Sequence, residues 1–312
     1  MLPESAVSCS VKLAIAAVLC ASLAWSQPVG RPRITGVAHI ALYAHDLDQS
    51  RAFYTGFLGF QEPYALKNRD GSLSMAFFKI NDRQYVELIP ETQAGTDRLS
   101  HIALETDDAA RMLAYLKSRG VKTPARTAKD RVGNLSFQIT DPDGHIVEFV
   151  QYEPQGWSMR EKGRFMNANR AADHMSHVGV IVASLEPALR FYRDIIGCQE
   201  IWRGSQDGKY LSWVNMRVPD GDDWVEFMLY DQYPGLRQLG VLHHLGLVPE
   251  DMEKAAARME AQPSRRTYTL PLDLQSERSR RQIQVYDPDG SRTELMPPAS
   301  PTRQSSTAPP IR

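Results

Sequence analysis

Four histidines, each followed at a nearly fixed interval by a glutamate, constrain this chain more than any other feature. His39 precedes Glu87, His101 precedes Glu148, His177 precedes Glu226 and His244 precedes Glu294, at separations of only 47 to 50 residues. The chain holds eight histidines, so half of them occupy one repeated position. Each of the four opens a short apolar run: HIALY, HIALE, HVGVIV and HLGLV. An amphipathic stretch follows each run, and helical spacing of apolar residues predicts helices over 47–58, 107–119, 184–196 and 250–261. Asp46 or Asp48, Asp107, Ser184 and Glu250/Asp251 supply caps or first-turn acids, while Gly59, Gly120 and Gly197 end three of the helices. Two or three strand-like runs come next. Units two and four finish in a repeated hairpin, DPDGHIVEFV at 141–150 and DPDGSRTELM at 287–296, where Pro and Gly suit a reverse turn.

The pattern predicts an α+β protein of four βαβββ units. Units one and two form a first module over 33–152, and units three and four a second over 174–297. Residues 153–173 read as the connection, and the Pro-, Ser- and Thr-rich stretch 298–312 as a disordered tail.

Strand alternation assigns the faces. Ile40/Leu42, Ile102/Leu104, Val178/Val180 and Leu245/Leu247 point to the helices, so the histidines point the other way. Ala41, Ala103, Gly179 and Gly246 share the histidine face and leave room beside each ring. The glutamates alternate between apolar neighbours in the same sense. If the first and last strands of a unit are neighbours, every unit presents one imidazole and one carboxylate into a concave face. Two facing units then supply two His and two Glu. That donor set suits Zn, Ni, Co, Mn or Fe(II), with one or two positions open for water or substrate.

The other histidines carry less. His45 and His145 fall at a helix entry and a turn, where solvation is expected; His174 precedes a strand, and His243 faces away from His244. Tyr85 and Trp224 share a face with the glutamates that follow them and are either pocket walls or plain core. Arg292 shares the face of Glu294, where it either holds an anionic substrate or makes a surface ion pair.

The histidine strands, the Phe53-Tyr54 and Leu58-Gly59-Phe60 helix, and the DPDG-to-Glu hairpin together resemble the vicinal oxygen chelate superfamily. That group includes glyoxalase I, extradiol dioxygenases, methylmalonyl-CoA epimerase and bleomycin-resistance proteins. The stretch 39–60 is especially similar to the opening of glyoxalase I. The resemblance implies two modules with open, cup-shaped mixed sheets, and metal ligands His39, Glu87, His101 and Glu148 in one, His177, Glu226, His244 and Glu294 in the other. It also implies that Glu148 and Glu294 stand where the family's proton-moving base stands. An extradiol dioxygenase would instead use an Fe(II) triad, here His177, His244 and Glu294.

The resulting expectation is a divalent-metal-dependent lyase or isomerase acting on a small substrate chelated through adjacent oxygens. The alternatives are a catechol-cleaving Fe(II) dioxygenase and a non-catalytic small-molecule-binding protein of the bleomycin-resistance type. With 36 basic and 37 acidic residues, the chain offers no electrostatic case for nucleic acid. The run LAIAAVLCASLAW at 13–25 is too short for a membrane span and reads as the core of a signal peptide over 1–26. Secretion or periplasmic export follows, with no membrane attachment after removal of the leader, and a monomeric or homodimeric mature protein. Cys9 and Cys20 fall in the leader, so Cys198 alone remains, as a packed side chain without a disulfide.

Overall fold

The structure, a computed structural model, describes residues 29–95, 97–268 and 282–298. The expected leader and nearly all of the expected tail lie outside these residues. Unit one comprises β1 (Ile34–Ala44), α1 (Leu47–Ala52), β2 (Gln61–Lys67), β3 (Leu73–Lys79) and β4 (Tyr85–Pro90). Unit two comprises β5 (Leu99–Thr106), α2 (Ala109–Ser118), β6 (Ala128–Lys129), β7 (Leu135–Thr140) and β8 (Ile146–Gln151). A short helix, α3 (Trp157–Arg160), lies in the connection. Unit three follows with β9 (His174–Ile181), α4 (Leu185–Leu189), β10 (Gln199–Gly204), β11 (Trp213–Arg217) and β12 (Trp224–Met228). After α5 (Leu236–Leu242), unit four contributes β13 (His244–Val248), α6 (Met252–Glu260), β14 (Ile283–Tyr286) and β15 (Arg292–Leu295). Residues 269–281, where the βαβββ pattern puts its remaining strand, lie outside the described residues.

Each module is one mixed sheet, ordered β2-β3-β4-β1-β5-β8-β7-β6 and β10-β11-β12-β9-β13-β15-β14. Units one and two thus share a sheet, as do units three and four. The first and last strands of every unit run parallel and adjacent, and the two first strands of a module pair antiparallel at its centre. The helix-facing residues named above are buried, and those of both modules join one continuous apolar core. Alternation therefore separated the two faces correctly, because one face carries the whole hydrophobic driving force.

The helices depart from expectation at their ends. α1 and α4 continue as wider π turns over Phe53–Phe57 and Arg190–Ile196, which lets the consecutive pairs Phe53-Tyr54 and Phe191-Tyr192 all be buried. α2 is capped by Asp108 rather than Asp107; Asp107 instead accepts from the Arg33 amide at 3.0 Å.

The modules clasp each other reciprocally. The Gln84 side chain accepts from the Met175 amide at 2.8 Å, and Asp223, at the same repeat position, accepts from the Val37 amide at 2.9 Å. The DPDG turns dock across the interface. Asp141 accepts from the Tyr192 hydroxyl at 3.0 Å and Asp287 from the Tyr54 hydroxyl at 3.4 Å. Asp143 caps the Ala183 amide at 2.9 Å, and Asp289 caps the His45 amide at 3.0 Å. These turns are buried latches, which corrects the expectation for His145: it is 7% exposed, with Nδ1 2.8 Å from Asp141 Oδ2. His45 keeps a largely exposed side chain but pairs with Glu91. Cys198 is a buried free thiol, pushed by that burial up to about 12.

Tyr192→Phe should destabilise the protein by about 1–3 kcal/mol in urea unfolding, since it strips a donor from a buried carboxylate; Tyr54→Phe, across a longer contact, should cost less. Burial, reinforced by Asp289, pushes the Asp287 carboxyl up to about 7. The folded value lies above the unfolded value of about 3.9, so this group's stability contribution is full below that lower pH and is lost as pH rises through about 7. Asp287→Asn should flatten that part of the pH–stability curve, measured as unfolding midpoints across the interval.

Candidate metal centres

Register explains how the sheets gather the polar residues. In the first sheet His39 lies opposite Ala103, whose other neighbour is Glu148, while His101 lies opposite Ala41, whose other neighbour is Glu87. In the second sheet His177 lies opposite Gly246 beside Glu294, and His244 opposite Gly179 beside Glu226. Every ring thus crosses over a small residue toward a carboxylate two strands away. All eight expected ligands fall into two clusters, one per module.

In module one, His39 Nε2 and His101 Nε2 face each other at 3.0 Å. Glu87 Oε2 lies 3.5 and 3.8 Å from these nitrogens, and Glu148 Oε2 lies 3.9 and 3.2 Å from them. In module two the His177 and His244 Nε2 atoms are 3.2 Å apart, with Glu226 at 3.6 Å and Glu294 at 3.7 Å from His244. The ring pairs share one geometry, with centroids 5.1 and 5.2 Å apart and interplanar angles of 81° and 82°. Tyr85 stacks on His39 at 4.5 Å and Trp224 on His177 at 4.9 Å. These aromatics are walls that hold the rings.

The donor set fits a divalent cation. Four electron-pair donors gather in each buried cluster, where bringing them together is costly unless a cation joins them. Burial pushes His39 and His177 down to about 3, keeping these two imidazoles neutral as ligation requires, while at His101 burial also works downward but Glu148 and Glu87 raise it. Burial pushes Glu87 up to about 7 and Glu226 up to about 8, with the neighbouring Glu148 and Glu294 adding to the rise against the partial relief of His101 and Arg292. Burial also works to raise Glu148, but its hydrogen bond with His101 and its interactions with the two cluster imidazoles hold it at about 2. The far ring nitrogens of His101 and His177 meet the Ser100 and Ser176 hydroxyls at 3.2 and 3.1 Å, and that of His244 meets the Leu242 carbonyl at 3.0 Å. Such contacts orient a ligating ring.

Sequence reasoning missed the amides beside the carboxylates. Gln138 donates to Glu148 Oε2 at 3.2 Å, and Gln284 and Gln282 donate to Glu294 at 3.3 and 2.5 Å. Gln138 and Gln284 each stand ten residues before their glutamate, a repeat signal that was available. Glu87 instead has Phe77 and Ala41 as its cross-strand neighbours. The connection also contributes to the site: its Trp157, 1% exposed, packs among Tyr64, Phe77 and Tyr85 against the module-one cup.

The two centres are not equivalent. Arg292 is neither a free anion receptor nor a surface pair. Its Nη2 lies 2.7 Å from His244 Nδ1, and its Nη1 lies 3.3 Å from Glu294 Oε1. The matching position in module one is Ile146. The guanidinium offsets part of the negative charge that would attract a cation, so a cation should bind more tightly in module one.

The description "Glyoxalase/Bleomycin resistance protein/Dioxygenase superfamily" matches residues 36–149 and 174–295. A probable lactoylglutathione lyase of Vibrio parahaemolyticus is 29% identical over 125 residues, covering 37% of this chain and 89% of that protein. The lactoylglutathione lyase of Salmonella typhimurium is 27% identical over 127 residues, covering 38% and 93%. Each bacterial relative thus corresponds to about one module. Among solved structures, the 2,3-dioxygenase LapB from Pseudomonas sp. KL28 superposes with a TM-score of 0.65 at 17% identity, covering 90% of this chain and 99% of that one. Homoprotocatechuate 2,3-dioxygenase from Brevibacterium fuscum superposes at 0.64 and 17%, covering 89% and 76%.

A Cβ at Gly246 would overlap the His177 ring, and one at Gly179 the His244 ring. Gly246→Ala should therefore displace the His177 ring toward the placement His39 takes over Ala103 and change cation binding in module two while leaving module one intact, read as a shift of only one of two isotherms in calorimetric titration with Co(II). Arg292→Ile should strengthen that isotherm.

Proposed function

The chain belongs to the glyoxalase/bleomycin resistance protein/dioxygenase superfamily, and on that premise we propose that it is a divalent-metal-dependent lyase or isomerase of the glyoxalase I type. Its substrate is a small molecule that offers two adjacent oxygens. The observation that carries this reading is the second carboxylate in each module. Glu87 and Glu226 make the donor sets two His and two Glu, whereas an oxygen-activating Fe(II) centre uses two His and one carboxylate and leaves three positions open.

The ion, once bound, polarises the substrate oxygens and acidifies the neighbouring C–H. The protein's own residues do the rest. His39 and His101 enter as neutral rings set over Ala103 and Ala41. Glu148 is the proton carrier, moving a proton between adjacent carbons. A carboxylate that takes up a proton during turnover needs a second anchor, and Gln138 supplies it. Glu87, between Phe77 and Ala41, has no such donor among its cross-strand neighbours and stays a ligand. Trp157, Phe77 and Tyr85 wall the cup on the Glu87 side and exclude water from the proton's path. Glu294, with Gln284, holds the corresponding place in module two, under the restraint of Arg292. The leader expected at 1–26 supports work outside the cytoplasm, where a substrate other than a glutathione adduct is called for.

The test is Glu148→Gln with metal content measured alongside turnover on a panel of 2-oxoaldehyde adducts and 2-acyl thioesters. Turnover should fall by roughly 10²–10⁴ while most of the metal is retained. Unchanged turnover with full metal removes Glu148 from the reaction. Oxygen consumption with catechols by the Fe(II)-loaded protein would replace this reading with ring cleavage.

A further inference from the structure

A row of three apolar residues lies beside the ligands of module two. Ile181 pairs with Met228, and Met228 with Trp213. Ile181 follows His177 by four residues and Met228 follows Glu226 by two, so alternation sets both on the ligand face. A helix covers this row. Leu239 of α5 packs with Ile181 and Met228, and Leu242 and Trp213 lie against the same cluster. Ile181, Met228 and Leu239 are buried. Module one has the row without the cover. Its matching residues are Met75 and the pair Tyr43 and Ile89, and all three are only half-buried.

The difference lies in the chain between strands. Residues 91–98 join β4 to β5, and no helix forms there among the described residues; the longer stretch 229–243 joins β12 to β13 and folds into α5. The helix is therefore an addition to the repeat, and it covers one centre and not the other. Its C-terminal end is held firmly. His243, which follows it, is buried at the module interface with its ring 5.2 Å from that of His145. The Leu242 carbonyl lies 3.0 Å from His244 Nδ1 and accepts from Arg292 Nη2 at 3.1 Å, so the end of α5 touches a candidate ligand directly. The approach to the other end is loose by comparison: Tyr230, Tyr233 and Leu236 are exposed, and Gly235 precedes the first turn.

We propose that α5 is a lid over the module-two centre, hinged at His243, which swings away to admit an ion or substrate and whose closure is coupled to ligation through the Leu242 carbonyl and His244. The coupling rests on the reading of the His/Glu clusters as cation sites. Closed, the lid orients the His244 ring, because the Leu242 carbonyl meets Nδ1 while Nε2 faces Glu226 and Glu294. Open, it uncovers Ile181, Met228 and Trp213 as an apolar wall beside the ligands. Module one, without such a helix, exchanges its ion freely.

The full-length protein carrying Met228→Cys is treated with a thiol reagent, and labelling at that position is followed by peptide mass; Ile89→Cys is the matching probe in module one. The module-two probe should react roughly tenfold more slowly than the module-one probe, and Leu239→Gly should remove that difference without changing the module-one rate. In the protein without added cysteines, Co(II) release into EDTA, read by visible absorption, should run in two phases, and Leu239→Gly should speed only the slower one. Equal labelling of the two probes, or labelling and Co(II) release both indifferent to Leu239→Gly, overturns the lid. Failure to bind Co(II) at all would overturn the coupling and the functional reading together, while the labelling would still decide whether α5 opens.

Discussion

The antiparallel pairing of β1 with β5, repeated by β9 with β13, governs everything polar in this protein. It sets each histidine opposite a small residue and, through that residue, in line with a glutamate. A slip of one position would turn His39, His101 and both carboxylates into the apolar core and bring Ile40 and Ile102 to the cup. The register is held because the opposite face is wholly apolar and buried. The hydrophobic effect thus positions a set of groups that it cannot itself stabilise.

Much of this was readable beforehand, for a definite reason. Alternation and spacing are local properties, and the small residues at 41, 103, 179 and 246 marked the face on which the rings needed room. What the sequence could not disclose were contacts between segments far apart in the chain. His145 looked like a turn residue because His243, whose ring meets its own, belongs to another unit, as do the Ala183 amide and Tyr192 hydroxyl that the turn docks on. Trp157 looked like part of a joint because Tyr64, Phe77 and Tyr85, which it packs against, lie in unit one, well upstream. Arg292 shows the same limit in another way: its side of the strand was read correctly, but its hold on His244 depends on where α5 ends.

The duplication has not produced two copies of one centre. Module one keeps alanines beside its rings and an apolar residue, Ile146, two positions before its glutamate. Module two has glycines, so its rings settle into space a methyl group would fill, and an arginine that leans on one ring and one carboxylate. The same backbone therefore presents a strongly anionic cup and a partly neutralised one. Divergence of this kind needs only a few side chains, because strand register supplies the ligand geometry in both.

The reciprocal latches have a topological meaning. Unit one joins unit two through a shared sheet, and unit two joins unit three through Asp141 and Tyr192. Unit three joins unit four through the second sheet, and unit four returns to unit one through Asp287 and Tyr54. The four repeats therefore close into a ring, unlike an open array whose end repeats need polar caps. In a closed ring no unit is terminal, and the covalent order of the chain becomes one of several routes through the same set of neighbours.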